Sequence, residues 1–417
     1  SLSSHPRAAF GRRAHTAPAV RLLAAMSTPY KTRAVEYIGA PFCEGQNLAG
    51  ADLAPQALRD AGLARALKAL GWAVHDAGDL DFETHFRAKG VGRGVDASKR
   101  RDTIETYEEW RASGKTSNFA EWAHAQEVLR VDGVAEAEQQ ATKALAPATR
   151  PREVINAELM GCGLELVHGA VARAAAAGRF ALTIGGDHSV AAGSVSALCG
   201  VYPKLSVIWV DAHADANTPA TSPSLHYHGM PAAHLLGWFD RSPAGFDWLR
   251  GGCLAEQSLA YIGLRDVDEE EARLLRESKV HVFTMRDVDK HGIGRVVEMA
   301  LQAIDPHGCV PLHLSLDIDA VDPMAAPGTG TTARGGLSYR EIHYICEEMA
   351  MTKRLVGMDL VEVNPELDRQ QHGRPQAAMH GDNPHLNVGD VTPTVHLATD
   401  LVLSALGKTI MHDKVFP

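Results

Sequence analysis

Residues 205–219 read LSVIWVDAHADANTP. The first part, through Val210, is apolar and β-branched apart from Ser206, the pattern of a strand buried on both faces of a parallel sheet. The second part turns abruptly acidic, which places charge at that strand's carboxyl end. Comparable runs lie on either side: AVEYIGAPF from Ala34, WAVHDAGDL from Trp72, FALTIGG from Phe180, LAYIGLR from Leu259, VHVFTM from Val280, PLHLSLDID from Pro311 and LVGMDLVEV from Leu355. Helical patterns separate them, one from Pro55 to Leu70 and another after Ser338. This β-α-β rhythm predicts an α/β fold of three layers, helices covering both faces of a mostly parallel sheet. In such sheets ligands gather beyond the carboxyl ends of the strands, where several loops converge.

The 417 residues, 45% of them hydrophobic, suffice for a substantial core. Forty-one Lys and Arg against 51 Asp and Glu give a formal net charge of -10, which argues against nucleic acid or an anionic membrane as partner and favours a small molecule. No run approaches the length of a membrane span. Cys43, Cys162, Cys199, Cys253, Cys309 and Cys346 show no CxxC spacing and are expected to be mostly buried thiols of a reducing compartment. Arg7, Arg12, Arg13, Arg21, Lys31 and Arg33 precede the first acidic residue, Glu36. That composition reads residues 1–34 as an organellar transit peptide, mitochondrial in the first instance, or as a basic tail. Residues 35–417 are then expected to form one catalytic domain, with insertions at about 88–150 and 368–392. The first insertion carries helical patterns in TIETYEEWRASG and FAEWAHAQEVLRV.

The chemistry-bearing residues cluster at three strand ends: Gly185-Gly186-Asp187-His188-Ser189, Asp211-Ala212-His213-Ala214-Asp215 and Asp317-Ile318-Asp319. If the strands continue through these runs, their period of two turns Asp211, His213 and Asp215 to one side and pairs Asp317 with Asp319. A lone Asp at a strand end is usually a turn former or a helix cap. Four carboxylates and two imidazoles together are different, because burying that much negative charge without cations is costly. The set suits two divalent ions, and the absence of thiolate favours manganese over zinc.

The segments TIGGDHSV, VIWVDAHADANTP and LSLDIDAVDP resemble the signatures of the ureohydrolase family, which includes arginases and agmatinases. The resemblance spans roughly residues 36–88 and 155–365 and implies a parallel eight-stranded sheet with a binuclear Mn²⁺ site. By that likeness His188, Asp211, Asp215 and Asp317 hold one ion, and His213, Asp211, Asp317 and Asp319 the other. Two such ions sharing a water lower its pKa enough to supply hydroxide, which attacks the guanidinium carbon. The likeness also implies that Glu362, in LVEVNPELD, holds the guanidinium, a bidentate pairing being natural. His228, in HYHGMP, matches the family's proton-shuttling histidine. Homo-oligomers, trimers or hexamers, are implied as well.

Within that family, recognition of the α-amino and α-carboxylate groups separates L-arginine from agmatine. Asn217 and Ser224 resemble arginase-type carboxylate contacts, while Asp268 and Glu271 resemble the amino-group contacts. Thr331, after PGTG, matches a position lining the site. One departure stands out: His226 occupies a position where arginases commonly carry Asn, and the bulkier, titratable imidazole is expected either to retain a water-mediated contact to the substrate's amino group or to alter affinity and pH dependence. The expected activity is hydrolysis of L-arginine to L-ornithine and urea. The alternatives are an agmatinase or another guanidino-compound hydrolase, or an inactive metal-binding scaffold.

Overall fold

The computed structural model describes residues 33–92, 152–249, 251–372 and 391–409. Residues 1–32 of the expected 1–34 transit peptide fall outside these residues, as do most of the 88–150 insertion and residues 373–390 of the second, while Ala34 already belongs to the first strand.

Each apolar run becomes a strand: β1 Ala34–Gly39, β2 Ala73–Asp79, β3 Phe180–Ile184, β4 Ser206–Val210, β5 Leu259–Leu264, β6 His281–Thr284, β7 Leu312–Asp317 and β8 Leu355–Val361. They form one eight-stranded sheet in the order β2-β1-β3-β8-β7-β4-β5-β6. Every pairing is parallel, so the sheet is wholly rather than mostly parallel. The inner strands are buried along their length, while the edge strand β2 is largely exposed.

Period-two alternation sorts each strand's side chains between two apolar layers. Ile208 and Val210 of β4 join one layer with Leu312, Leu314 and Leu316 of β7, against helices Ile293–Ile304, Tyr339–Met351 and Pro393–Ala405. Val207 and Trp209 face the other, against helices Ala157–Ala176 and Val190–Val201. The helix expected from Pro55 to Leu70 is two helices, Ala54–Asp60 and Leu63–Ala69. Gly62, at φ 94°, breaks the run, a conformation glycine adopts without steric cost. The helix after Ser338 starts where expected, with Ser338 and Glu341 forming a capping box. No helix among the described residues is long and apolar enough to cross a membrane. Only Cys162 and Cys346 of the six cysteines are buried, so the expectation of mostly buried thiols fails.

The strand order places the carboxyl ends of β3, β8, β7 and β4 side by side in mid-sheet. The acidic and histidine segments all emerge there. β8 lies between β3 and β7, so the three strands that lead into these segments are not consecutive neighbours, and the intervening strand delivers Glu362 to the same place.

Candidate metal centre

The alternation argument for the ligand runs does not hold in the form expected. β4 stops at Val210, leaving Asp211, His213 and Asp215 on a loop in which Asp215 takes a left-handed φ of 49°. Asp319 sits in a short 3-10 turn, Ile318–Ala320, and its N–H donates to Asp317 Oδ1 at 2.8 Å. Tight turns, rather than an extended strand, bring the side chains together.

Around His188 the geometry is specific. Its Nδ1 lies 3.1 Å from Asp211 Oδ2, 3.0 Å from Asp215 Oδ2 and 3.2 Å from Asp317 Oδ2. Its Nε2 is 2.9 Å from the Ser315 hydroxyl, and its ring stacks on Trp209 at 4.4 Å. Either tautomer can pair Nε2 with the Ser315 hydroxyl, and the one that keeps its proton on Nε2 turns a lone pair at Nδ1 toward three carboxylate oxygens. Nδ1 makes no hydrogen bond although fully buried. A lone pair facing three anions is repulsive in a water-poor site, and a cation among them makes every one of these contacts attractive. A second group adjoins it: His213 Nδ1 is 3.0 Å from Asp319 Oδ2 and 3.6 Å from Asp211 Oδ1. His188, Asp211 and Asp215 form one set of donors close enough to hold an ion, and Asp211, His213 and Asp319 form another, sharing Asp211. The residues present therefore fit divalent metal, with hard oxygen donors predominating.

Neighbours fix these side chains. Trp209 Nε1 donates to Asp211 Oδ2 at 3.0 Å, and the Thr331 hydroxyl donates to Asp319 Oδ2 at 3.0 Å. The Arg265 guanidinium binds the carbonyls of Asp319 and Ala333, bracing the turn from behind.

His188, His213, Asp215, Asn217, Ser224, His228, Asp268, Glu271, Asp317, Asp319, Thr331 and Glu362 all line one cavity of about 150 Å³. Asp211 touches both histidines without lining it. His226 does not line it either; its ring is 6.2 Å from that of His228. His228 Nδ1 stands 3.8 Å from Glu362 Oε1. Burial disfavours charge on His228, but Glu362, Asp215 and Asp187 outweigh it and raise its pKa. Asp268 and Glu271 form the capping box of helix Glu269–Glu277, so Glu271 is both a helix-cap carboxylate and a cavity wall. Burial pushes its carboxyl up to about 7. Asn217 Nδ2 donates to Asp268 Oδ2 at 2.9 Å, joining the two segments. Glu362 itself adopts a left-handed φ of 62°, a strained backbone of the kind found at functional sites.

Sequence reasoning missed Ser222, Pro223 and Gly229, which complete the cavity wall, and Ser315, which orients His188. Ser315 lies two residues before Asp317 in a recognised motif, so its proximity was a usable signal. Gln46 was missed too. Its Nε2 donates to Glu362 Oε2 at 2.9 Å across 316 positions of chain, and only its place on the loop after β1 hinted at the site.

A sequence profile of the arginase family matches residues 33–406. An arginase of Schizosaccharomyces pombe is 35% identical over 387 residues, covering 93% of this chain and 96% of that protein. Human arginase-2, mitochondrial, is 34% identical over 378 residues, covering 90% and 85% respectively. Among solved structures, the arginase of Bacillus caldovelox superposes with a TM-score of 0.66 at 27% identity, covering 91% of this chain and all of that one.

Proposed function

Because the chain belongs to the arginase family, we propose that it hydrolyses L-arginine to L-ornithine and urea with two Mn²⁺ ions per subunit. The observation that carries this reading is the ring of three carboxylate oxygens within 3.0–3.2 Å of the unpartnered His188 Nδ1, with the second group sharing Asp211 beside it. His188, Asp211, Asp215 and Asp317 would hold one ion, and His213, Asp211, Asp317 and Asp319 the other. Two such ions supply, when bound, a water acidic enough to be a nucleophile near neutral pH.

The remaining steps belong to the chain's own side chains. Glu362, buried on the cavity wall, receives the guanidinium as a charge-assisted partner and fixes its plane. His228, beside Glu362, holds a proton and gives it to the leaving amine, a role that its raised pKa supports. Farther along the same wall, Asn217 and Ser224 take the α-carboxylate, and Asp268 and Glu271 the α-ammonium. Binding that cation compensates for the cost of ionising the buried Glu271 carboxyl. His226 does not line this wall and is therefore not among the direct substrate contacts.

Urea release from L-arginine and from agmatine, each measured with and without Mn²⁺, tests the reading. It predicts Mn²⁺-dependent turnover of arginine and little of agmatine, which lacks the α-carboxylate. Preference for agmatine would move the chain to the agmatinases, and no turnover of either after metal loading would favour a scaffold.

A further inference from the structure

We propose that Gln46 is a positioning residue for this reaction, holding the Glu362 carboxylate in the orientation that receives the guanidinium. The inference rests on the reading of Glu362 as the guanidinium anchor. Gln46 is 4% exposed, and its Nε2 donates to Glu362 Oε2 at 2.9 Å. The other oxygen, Oε1, accepts from the His188 N–H at 3.0 Å. A carboxylate with one donor can still swivel about its terminal torsion, where the rotamer wells are broad. Two fixed donors on different oxygens remove that freedom, and each oxygen keeps further acceptor capacity for a ligand.

The choice of an amide is informative. Lys or Arg at position 46 would neutralise Glu362 and compete with the substrate's own cation, whereas a neutral donor orients the carboxylate and leaves its charge to the ligand. Gln46 is itself held by the residue before it. Gly45 N–H donates to Asp187 Oδ2 at 2.7 Å, and Gly45 carbonyl accepts from the His228 N–H at 3.2 Å. A Cβ at Gly45 would fall 2.0 Å from Ser189 Oγ and 2.9 Å from Asp187 Oδ2, so a side chain there would push the Ser189 hydroxyl or the Asp187 carboxylate aside. Gly45 and Gln46 thus register three segments against one another, those bearing His188, His228 and Glu362. Gln46 does not line the cavity, which makes its action indirect.

The test is steady-state urea release by the Mn²⁺-loaded enzyme carrying Gln46→Leu and, in parallel, the volume-matched Gln46→Met. Losing a hydrogen bond to a charged group predicts a rise of about tenfold in KM for L-arginine, with kcat changed less. The inhibition constant of a guanidino acid without the α-amino group should rise by a similar factor. That of a neutral straight-chain α-amino acid of the same length should not move, because it reaches only the far end of the cavity. Equal weakening of both inhibitors, unchanged KM in both variants, or loss of folding or Mn²⁺ content in both would overturn the positioning role. Glu362→Gln is measured alongside. If it leaves kcat/KM intact, the anchor reading fails and this proposal falls with it. If it is severe while the Gln46 variants behave as wild type, only the role of Gln46 is lost. In the Glu362→Gln background Gln46→Leu should add no further effect, and additive losses would contradict the coupling.

Discussion

The Ser315 hydroxyl sets which nitrogen of His188 faces the carboxylates, because it takes up Nε2 at 2.9 Å and leaves Nδ1 to the acidic ring. Partners of this kind fix ligand tautomer and orientation, and their removal typically lowers metal affinity about 10–100-fold. Ser315→Ala is therefore expected to weaken Mn²⁺ binding by that factor in equilibrium dialysis while leaving the fold intact, and unchanged affinity would show that Trp209 stacking alone orients the ring. At this scale the crowding of Asp and His at the strand ends was legible in the sequence, and it has few inexpensive structural explanations. Their conformations were not. The left-handed turns at Asp215 and Glu362 are imposed by the surrounding packing, and neither residue type announces them. Gln46 was invisible for a different reason, because its partner lies at the opposite end of the sequence.

The short helix Pro231–Leu236 follows directly on the segment bearing His228 and carries His234, which is buried against Tyr227, Phe239 and Phe246. Burial holds this imidazole neutral and lowers its pKa from the ordinary 6.5 to about 4. The unfolded chain takes up a proton that the folded chain refuses, so stability is intact above pH 6.5 and drains as pH falls toward 4. The loss amounts to about 3 kcal/mol at 1.36 kcal/mol per pKa unit. Denaturant titrations between pH 7 and 4 should show a steeper acid loss for the wild type than for His234→Gln, and parallel curves would remove His234 as the cause. Strands were the readable elements, because β4, β7 and β8 are buried along their length and rich in apolar residues, even though His313 and Ser315 interrupt β7 and Asp359 interrupts β8. The helix before β2 was read too long: its apolar spacing continues smoothly across Ala61 and Gly62, and only the conformation of Gly62 ends it. Strand order was beyond the reach of local pattern. Nothing in the run from Leu355 to Val361 says that it inserts between β3 and β7, yet that insertion brings Glu362 to the clustered Asp and His side chains.

For the molecule as a whole, the sheet concentrates Asp187, Asp211, Asp215, Asp317, Asp319 and Glu362 at one buried mid-sheet edge of a chain whose net charge is already -10. Histidines answer part of that charge, His188 Nδ1 standing 3.0–3.2 Å from three of the carboxylates. Cations that bind the folded chain alone would stabilise it by mass action, about 2.7 kcal/mol at a hundredfold excess over Kd. The most direct measurement is elemental analysis of the purified chain after dialysis against Mn²⁺, paired with the same chain carrying Asp211→Asn, the residue common to both groups of donors. Two manganese ions per wild-type chain and fewer than one in the variant are predicted. A wild-type chain that stays empty in excess Mn²⁺, or a variant that still retains two ions, would contradict the account.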